Sequence, residues 1–377
     1  MSCDEKNSPA YEKKPIRLLL TGGGTGGHLF PAVAVAQEFE RQRPGTEMLF
    51  VGTRRKMDSG ALATYGFSSE SIVSYGLKGK RLGELIKAVA VLPLSYFQAV
   101  RVIKKFNPDM ILGVGGYVTG PVVAAGRSCG IPTLIHEQNS VPGLANRKLG
   151  KIVNKVCLSL PGSEVYFPAG RTVHTGNPVR KNILDLFGGG GTENKPEKPT
   201  LLVLGGSQGA RTLNKLVVDA FLAKEYKLSS KINLIHQTGE HDAVKVMELY
   251  DKNGIKAEVK PFFEKMDEVY AKADLLVSRA GATTLSEISV LGKPAILVPY
   301  PYAADNHQTK NGEYYEQGGG VLLYQEKDLS GVTLARCIDD LTCDHERLET
   351  MGAAMMKLSF PDAAERIVAC CLEIIDT

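Results

Sequence analysis

The apolar positions fall in short unbroken runs, each closed by glycine. The first, residues 16–21, enters GGGTGG at 22–27 before a helical pattern starts near Pro31 (PAVAVAQEFE). A short run that is apolar throughout fits a parallel strand covered on both faces. The order strand, glycine turn, helix recurs at 201–204, which enters GGSQG at 205–209. LLLTGGGTGG (18–27) aligns with LLVLGGSQGA (201–210) at an offset of 183. DMILGVGG (109–116) aligns with DLLVSRAG (274–281) at an offset of 165. Small-residue helical patterns follow both members of that pair, and then Gly-x-Pro precedes TLIHE and AILVPY. Successive β-α units of this kind predict parallel sheets, and their duplication predicts two related doubly wound domains. Chance likeness between buried, glycine-flanked strands is the alternative. The boundary is expected at Gly176-Asn177-Pro178, with the glycine-rich 188–199 leading into the second domain. A last helix at about 362–375 could close either domain.

The longest apolar stretch, near 85–103, is interrupted by Lys87, Pro93 and Arg101, so it predicts no bilayer span. Residues 75–106 instead set Leu85, Ile86, Val89, Leu92, Leu94 and Phe97 among Lys78, Lys80, Arg81, Lys87, Arg101, Lys104 and Lys105. Apolar contact with basic flanks suits an interfacial anchor on anionic lipid. Two amphipathic helices packing on the sheet would explain part of the same pattern.

Composition narrows the class. The chain of 377 residues is long enough for two domains, and 43% hydrophobic with 23% charged residues excludes disorder. The net charge of +4 conceals a split: residues 1–176 hold 22 Lys and Arg against 12 Asp and Glu, and the remainder 23 against 29. A basic first half suits an acidic partner. The 7 cysteines are scattered without a C-x-x-C pair, and the polar start has no secretory pattern, which predicts reduced thiols in a cytoplasmic protein.

Gly22-x-Gly24-x-x-Gly27 lies between a strand and a helix, where backbone N–H groups can approach phosphate. The strand at 48–52 ends in Thr53-Arg54-Arg55, not the acidic residue of an NAD site; the arginines leave a 2′-phosphate open. No P-loop sequence is present. In the second half, Thr283, Thr284, Ser286 and Glu287 open a helix after a strand. They could hold a diphosphate and a ribose diol, or form an ordinary capping box. His28 directly follows the first glycine loop. A helix amino terminus disfavours imidazolium, so His28 should stay neutral and able to take a proton; a partly exposed capping-region histidine is the plainer reading. His136-Glu137-Gln138-Asn139 ends another predicted strand on the ligand-binding edge. His174, His236, His241 and His345 have no such context, and no pair has metal-ligand spacing.

Taken together, TGGGTGGHLFPAVAVA, GVGGYVTGP, IPTLIHEQNSVPGLANR, GNPVR, LGGSQGARTLN and SRAGATTLSEISVLGKPAILVPYPYAADNHQ resemble the MurG family of bacterial glycosyltransferases, in order from about residue 16 to the last helix. The resemblance implies a GT-B fold: two Rossmann-like domains across a cleft. An acceptor- and membrane-binding domain would take residues 1–176 plus the helix 362–377, and a UDP-sugar domain residues 177–361. It implies inverting transfer of N-acetylglucosamine from the UDP-sugar to the 4-hydroxyl of N-acetylmuramoyl-pentapeptide on undecaprenyl diphosphate, lipid I to lipid II, in peptidoglycan synthesis. No cofactor and no catalytic metal would be needed. The enzyme would sit in the cytoplasm, bound peripherally to the inner face of the plasma membrane, with no nucleic-acid partner.

Carried onto this chain, the resemblance puts Ser207 on the diphosphate and Phe263 beside uracil. Ala282, Thr283, Thr284, Leu285, Ser286 and Glu287 would wrap the nucleotide, Glu287 on the ribose, and Gln308 would hold the sugar. Thr25, Gly26, Gly27, Asn139 and Arg180 would complete the donor pocket. The register near Asp305–Gln308 departs most from the family pattern. Inversion needs a base on the acceptor hydroxyl while UDP leaves. His28 is the first choice; Glu137 is the second, or orients acceptor or histidine. Gly116, Tyr117 and Thr119 would bind the acceptor, and Leu85, Ile86, Leu92, Phe97, Lys80 and Arg81 the membrane. Three rivals share features: an NADP-dependent oxidoreductase, another UDP-sugar GT-B glycolipid transferase, and a nucleic-acid binder. The first accounts for one loop only, and the last lacks any RNA-binding signature.

Overall fold

In the computed structural model, residues 15–23, 26–53, 60, 62–76, 82–187, 197–206 and 209–377 are described, with backbone only at 82 and 84–87. Two wholly parallel sheets organise them. The first runs β3-β2-β1-β4-β5-β6-β7, from β1 (Arg17–Thr21), β2 (Glu47–Gly52), β3 (Ser68–Ser71), β4 (Met110–Gly113), β5 (Thr133–Glu137), β6 (Lys155–Leu158) and β7 (Thr172–His174). The second runs β10-β9-β8-β11-β12-β13, from β8 (Thr200–Leu204), β9 (Asn233–Gln237), β10 (Ala257–Lys260), β11 (Leu275–Ser278), β12 (Ala295–Leu297) and β13 (Val321–Leu323). In each sheet the order reverses beside the first strand, at β1/β4 and at β8/β11. The two segment pairs that align in the sequence contain these four strands. Such a switch point opens a crevice at the carboxyl ends, where doubly wound sheets bind ligands.

The leucine runs are apolar throughout because both sheet faces are covered. Side chains alternate along a strand. Leu18 and Leu20 therefore pack with Val33, Ala36 and Phe39 of the Gly26–Gln42 helix, while Leu19 packs on the other face with Ala99, Val102 and Ile103. The second sheet repeats the division: Leu201 and Val203 face Leu213 and Ile338, and Leu202 and Leu204 face Leu285 and Ile288. The edge strands β3 (SSES) and β10 (AEVK) carry exposed polar side chains, since one long side of each meets solvent.

Two boundaries differ from the sequence reading. The first helix starts at Gly26, not near Pro31, so Gly26, Gly27 and His28 form its first turn. The region 75–106, for which two amphipathic helices are the alternative to an anchor, contains one helix, Leu82–Phe106, which continues through Pro93. The last helix, Ala363–Ile375, joins the first-sheet core through Ile367, Val368, Cys370 and Cys371. The chain crosses between the sheets at Gly176, whose φ of +81° suits glycine and whose missing Cβ leaves room for Phe360 on the returning segment.

Candidate active site

Segments at the carboxyl ends of the two sheets meet, Gly27 with Thr283 and the 139–140 turn with Asn311. His28 lies half-buried in the first turn of its helix. Its Nδ1–H donates to Val114 O (3.1 Å), which leaves Nε2 without a partner among the described residues. Gly115, at φ +103°, runs beside the ring; a Cβ there would come within 2.7 Å of Nδ1. Burial holds the imidazole below its ordinary 6.5, partly opposed by the Glu137 charge, the bond to Val114 O and the nearby Gln138 side chain. His28 is therefore a neutral proton acceptor at pH 7.

The HEQN residues split in role. Gln138 Nε2 donates to Val114 O (2.6 Å) and to His136 Nδ1 (3.2 Å). His136 shares its Nε2–H between Gly176 O and Ser159 Oγ, both at 3.0 Å. It is fully buried, and burial pushes its pKa down to about 4, so it is a neutral core histidine that ties β5 to the crossing segment. Glu137 is also buried. Its Oε1 accepts from Asn139 N (3.0 Å) and Asn139 Nδ2 (3.2 Å), and its Oε2 from Gly143 N (3.2 Å) and Asn146 Nδ2 (2.8 Å). Four donors from the segment that follows it fill this carboxylate.

On the second sheet, Ala282–Val290 starts at Gly281 without a side-chain cap. That rules out the capping-box reading and leaves the first N–H groups open to an anion. Thr283 Oγ1 instead donates across the cleft to Gly27 O (2.9 Å). Pro31, four residues on, has no N–H to offer that carbonyl, so the second domain supplies the missing donor. Ser286 Oγ donates to Ala282 O (3.0 Å), and Leu285 lies in the core, so it can meet a ligand only through its backbone. Glu287 and Arg180, both assigned to the donor, are paired with each other. Arg180 Nη2 and Nε donate to Glu287 Oε1 at 2.8 and 3.1 Å, and Tyr270 OH donates to Oε2 (2.9 Å). The guanidinium also stacks on Phe30 of the first helix, 4.1 Å from the ring centre. Unlike its expected part, Phe263 has a buried ring and its N–H on Gln237 Oε1 (3.1 Å). Gln308 Oε1 accepts from Tyr300 N (2.8 Å).

The acceptor loop divides too. Tyr117 is 54% exposed and lies over Gly76, and Gly116 passes close to Gly23 O. Thr119 is fully buried, with its hydroxyl on Gly115 O (2.7 Å) and Thr21 O (3.3 Å); it shapes the loop instead of contacting an acceptor. On the Leu82–Phe106 helix, Val89, Leu94 and Phe97 are exposed, Phe97 to 68%, and Leu92 is half-buried. Thr25, Ser207, Lys80 and Arg81 lie outside the described residues, as do the side chains of Leu85 and Ile86.

The seam contains residues that the sequence reading missed. Asn311, on the His307–Gln317 helix, has a fully buried side chain. Its Oδ1 accepts from Ser140 N (2.9 Å) and Ser140 Oγ (3.1 Å), and its Nδ2 donates to Asn139 Oδ1 (3.1 Å) and Ala280 O (3.3 Å). Arg147 of the first domain reaches Asp305 of the second at 4.0 Å. One signal was available: HQTKNGEYYEQ is polar all round, as a helix between domains can be. A separate groove of about 680 Å³ lies at the opposite, amino edge of β1 and β2. Its charges are already paired, Arg17 with Glu47 (3.0 Å) and Lys105 with Glu70 (2.8 Å).

The glycosyltransferase family 28 N-terminal domain matches residues 18–158, and the family 28 C-terminal domain matches residues 200–367. A protein of Desulfotalea psychrophila named UDP-N-acetylglucosamine--N-acetylmuramyl-(pentapeptide) pyrophosphoryl-undecaprenol N-acetylglucosamine transferase is 56% identical over 97% of this chain and 98% of its own. A protein of the same name from Geobacter metallireducens is 42% identical over 94% and 97%. The crystal structure of Acinetobacter baumannii MurG superposes with a TM-score of 0.73 at 30% identity, covering 95% of this chain and 100% of that one.

Proposed function

Because the chain belongs to glycosyltransferase family 28, we propose that its cleft moves N-acetylglucosamine from UDP-N-acetylglucosamine onto N-acetylmuramyl-pentapeptide carried by pyrophosphoryl-undecaprenol. This is the lipid I to lipid II step of peptidoglycan synthesis, the reaction for which its close relatives are named. The observation that carries the mechanism is the oriented imidazole of His28: Nδ1–H held by Val114 O, Nε2 without a described partner, the ring kept neutral by burial. As the acceptor 4-hydroxyl attacks the anomeric carbon, His28 Nε2 takes its proton. The bond to UDP breaks on the opposite face, so the centre inverts. The diphosphate leaves toward the N–H groups that start the Ala282–Val290 and Gly26–Gln42 helices. Those groups already point where its charge grows, without a divalent ion.

Donor binding in this reading opens the Arg180–Glu287 pair, freeing the guanidinium for the diphosphate and the carboxylate for the ribose. Gln308, Thr284 and Ser286 line that side. Glu137 is a positioning residue: it holds the loop that carries Asn139. Tyr117 and Gly116 face the acceptor diphosphate. The exposed Val89, Leu94 and Phe97, with basic residues near them, rest on an anionic membrane surface and bring the cleft to the lipid. No helix among the described residues is long and apolar enough to cross a bilayer. We place the division between the domains at 176/177, with 362–377 belonging to the first.

The test is transfer of label from radiolabelled UDP-N-acetylglucosamine to a lipid I analogue, with UDP-glucose as control donor. His28→Ala should lower turnover by roughly a hundredfold or more while UDP still binds. Turnover within a few-fold of the parent at saturating acceptor would remove His28 from the mechanism.

A further inference from the structure

Asn311 touches neither side of the reaction as proposed, yet its amide joins the two loops between which the reaction must occur. It grips the backbone and hydroxyl of Ser140, next to Asn139, and the carbonyl of Ala280, two residues before the Ala282–Val290 helix. Asn139 has no spare polar atom in this arrangement: its Nδ2 is on Glu137 and its Oδ1 on Asn311. With both amide atoms doubly bonded and the side chain fully buried, Asn311 is satisfied only when the domains are at this separation. Opening the cleft would break the two bonds to Ser140 and the one to Asn139, and leave only the bond to Ala280 within its own domain. Thr283 to Gly27 O and the Arg147–Asp305 pair also cross between the domains.

We propose that Asn311 is a positioning residue that sets the closed spacing of the cleft, and that the Glu137-held loop is its docking face. This rests on the transferase reading for its kinetic consequence but not for its structural one. The chain is Glu137 to Asn139 and Ser140, then Asn311, then the start of the donor-side helix. A closed cleft brings His28 against the donor loop, so a protein that closes less readily pays for closure each time the substrates bind. Apparent affinity and rate then fall with the closed fraction. The residue was not visible as functional in the sequence because its partners are 171 and 172 positions away.

Asn311→Asp tests this with nearly unchanged volume. The carboxylate can still accept from Ser140, but it loses both donor bonds and turns an oxygen toward Asn139 Oδ1 and Ala280 O. Small-angle scattering of the unliganded variant should show a larger radius of gyration than the parent, returning to the parent value with saturating UDP-N-acetylglucosamine. kcat/KM should drop about tenfold or more, while the Kd for UDP alone changes less than about threefold. Ser140→Ala removes one bond of four and should move both readouts in the same direction by a smaller factor, which covers the case in which the aspartate variant does not fold. Unchanged kcat/KM in both variants overturns the positioning role, whatever the scattering shows. Scattering identical to the parent overturns the spacing role. If the variant expands as expected but the parent transfers no N-acetylglucosamine, the clasp stands and the proposed reaction falls.

Discussion

Glu137 accepts four hydrogen bonds from the segment that follows it, while no described partner meets His28 Nε2, and this difference is why the proposed mechanism gives the proton to His28. A carboxylate so engaged loses loop order when it is protonated or replaced. Glu137→Gln turns an NH₂ toward donors such as Asn139 N or Asn146 Nδ2, leaving a clash of donors that costs about 1–3 kcal/mol locally. It should reduce kcat by roughly tenfold and, by removing the charge that raises His28, move the acid limb of the pH profile to lower pH. That limb belongs to His28. Its pKa is lowered below 6.5 by burial, and the neutral ring is the active form. In a kcat/KM profile, activity should therefore fall on acidification with a midpoint below pH 6.5 and stay level above it. A limb that disappears in Glu137→Gln and persists in His28→Ala would reverse the two roles. The sequence already placed both residues on the right edge of the sheet, because HEQN ends a strand and His28 follows a glycine turn. Which of them is free was a matter of hydrogen-bond partners in loop and main-chain atoms, and no residue type announces those.

At the scale of elements, the apolar runs identified the central strands because covered strands must be apolar on both sides. The edge strands β3 and β10 escaped, since SSES and AEVK carry no such demand. Pro93, which interrupts the apolar stretch, lies inside the Leu82–Phe106 helix, so Val89, Leu94 and Phe97 share one helix. Leu94 and Phe97 are half exposed or more and lie on it. Replacing both with Ala should leave the melting temperature nearly unchanged, as surface substitutions usually cost within about 0.5 kcal/mol. Flotation with anionic liposomes should nevertheless lose at least half of the bound protein. Equal flotation of variant and parent would show that these residues do not touch the bilayer. The Gly26–Gln42 helix gives a second lesson. Pro31 was read as a start signal, whereas its position inside the helix frees Gly27 O for Thr283 of the other domain. A local breaker had become a long-range contact.

Across the whole molecule, two buried histidines make stability depend on acid before the carboxylates do. Burial pushes His136 down to about 4 and His236 down to about 3. The unfolded chain protonates both near 6.5, so the stabilisation they provide is complete above that pH. It is lost as the pH falls toward 4, by about 3 kcal/mol for each histidine. Thermal melts followed by circular dichroism should decline steeply from pH 6.5 to 4.5, and His236→Gln should make that slope shallower. An identical slope in the variant would show that other groups dominate the window. The duplicated fold was legible because its repeats contain the four strands at the switch points. The seam was not legible, because Asn311, Arg147 and Phe30 meet their partners only after both sheets have formed. The returning helix Ala363–Ile375 has a consequence for how the protein is made. Ile367, Val368 and Cys371 complete a face of the first sheet begun by Leu18 and Leu20. During synthesis, the part of that face beyond the Gly26–Gln42 helix stays uncovered until the ribosome has finished the entire second domain. The domain translated first is thus the one completed last, and its waiting apolar surface is where a chaperone would engage the nascent chain.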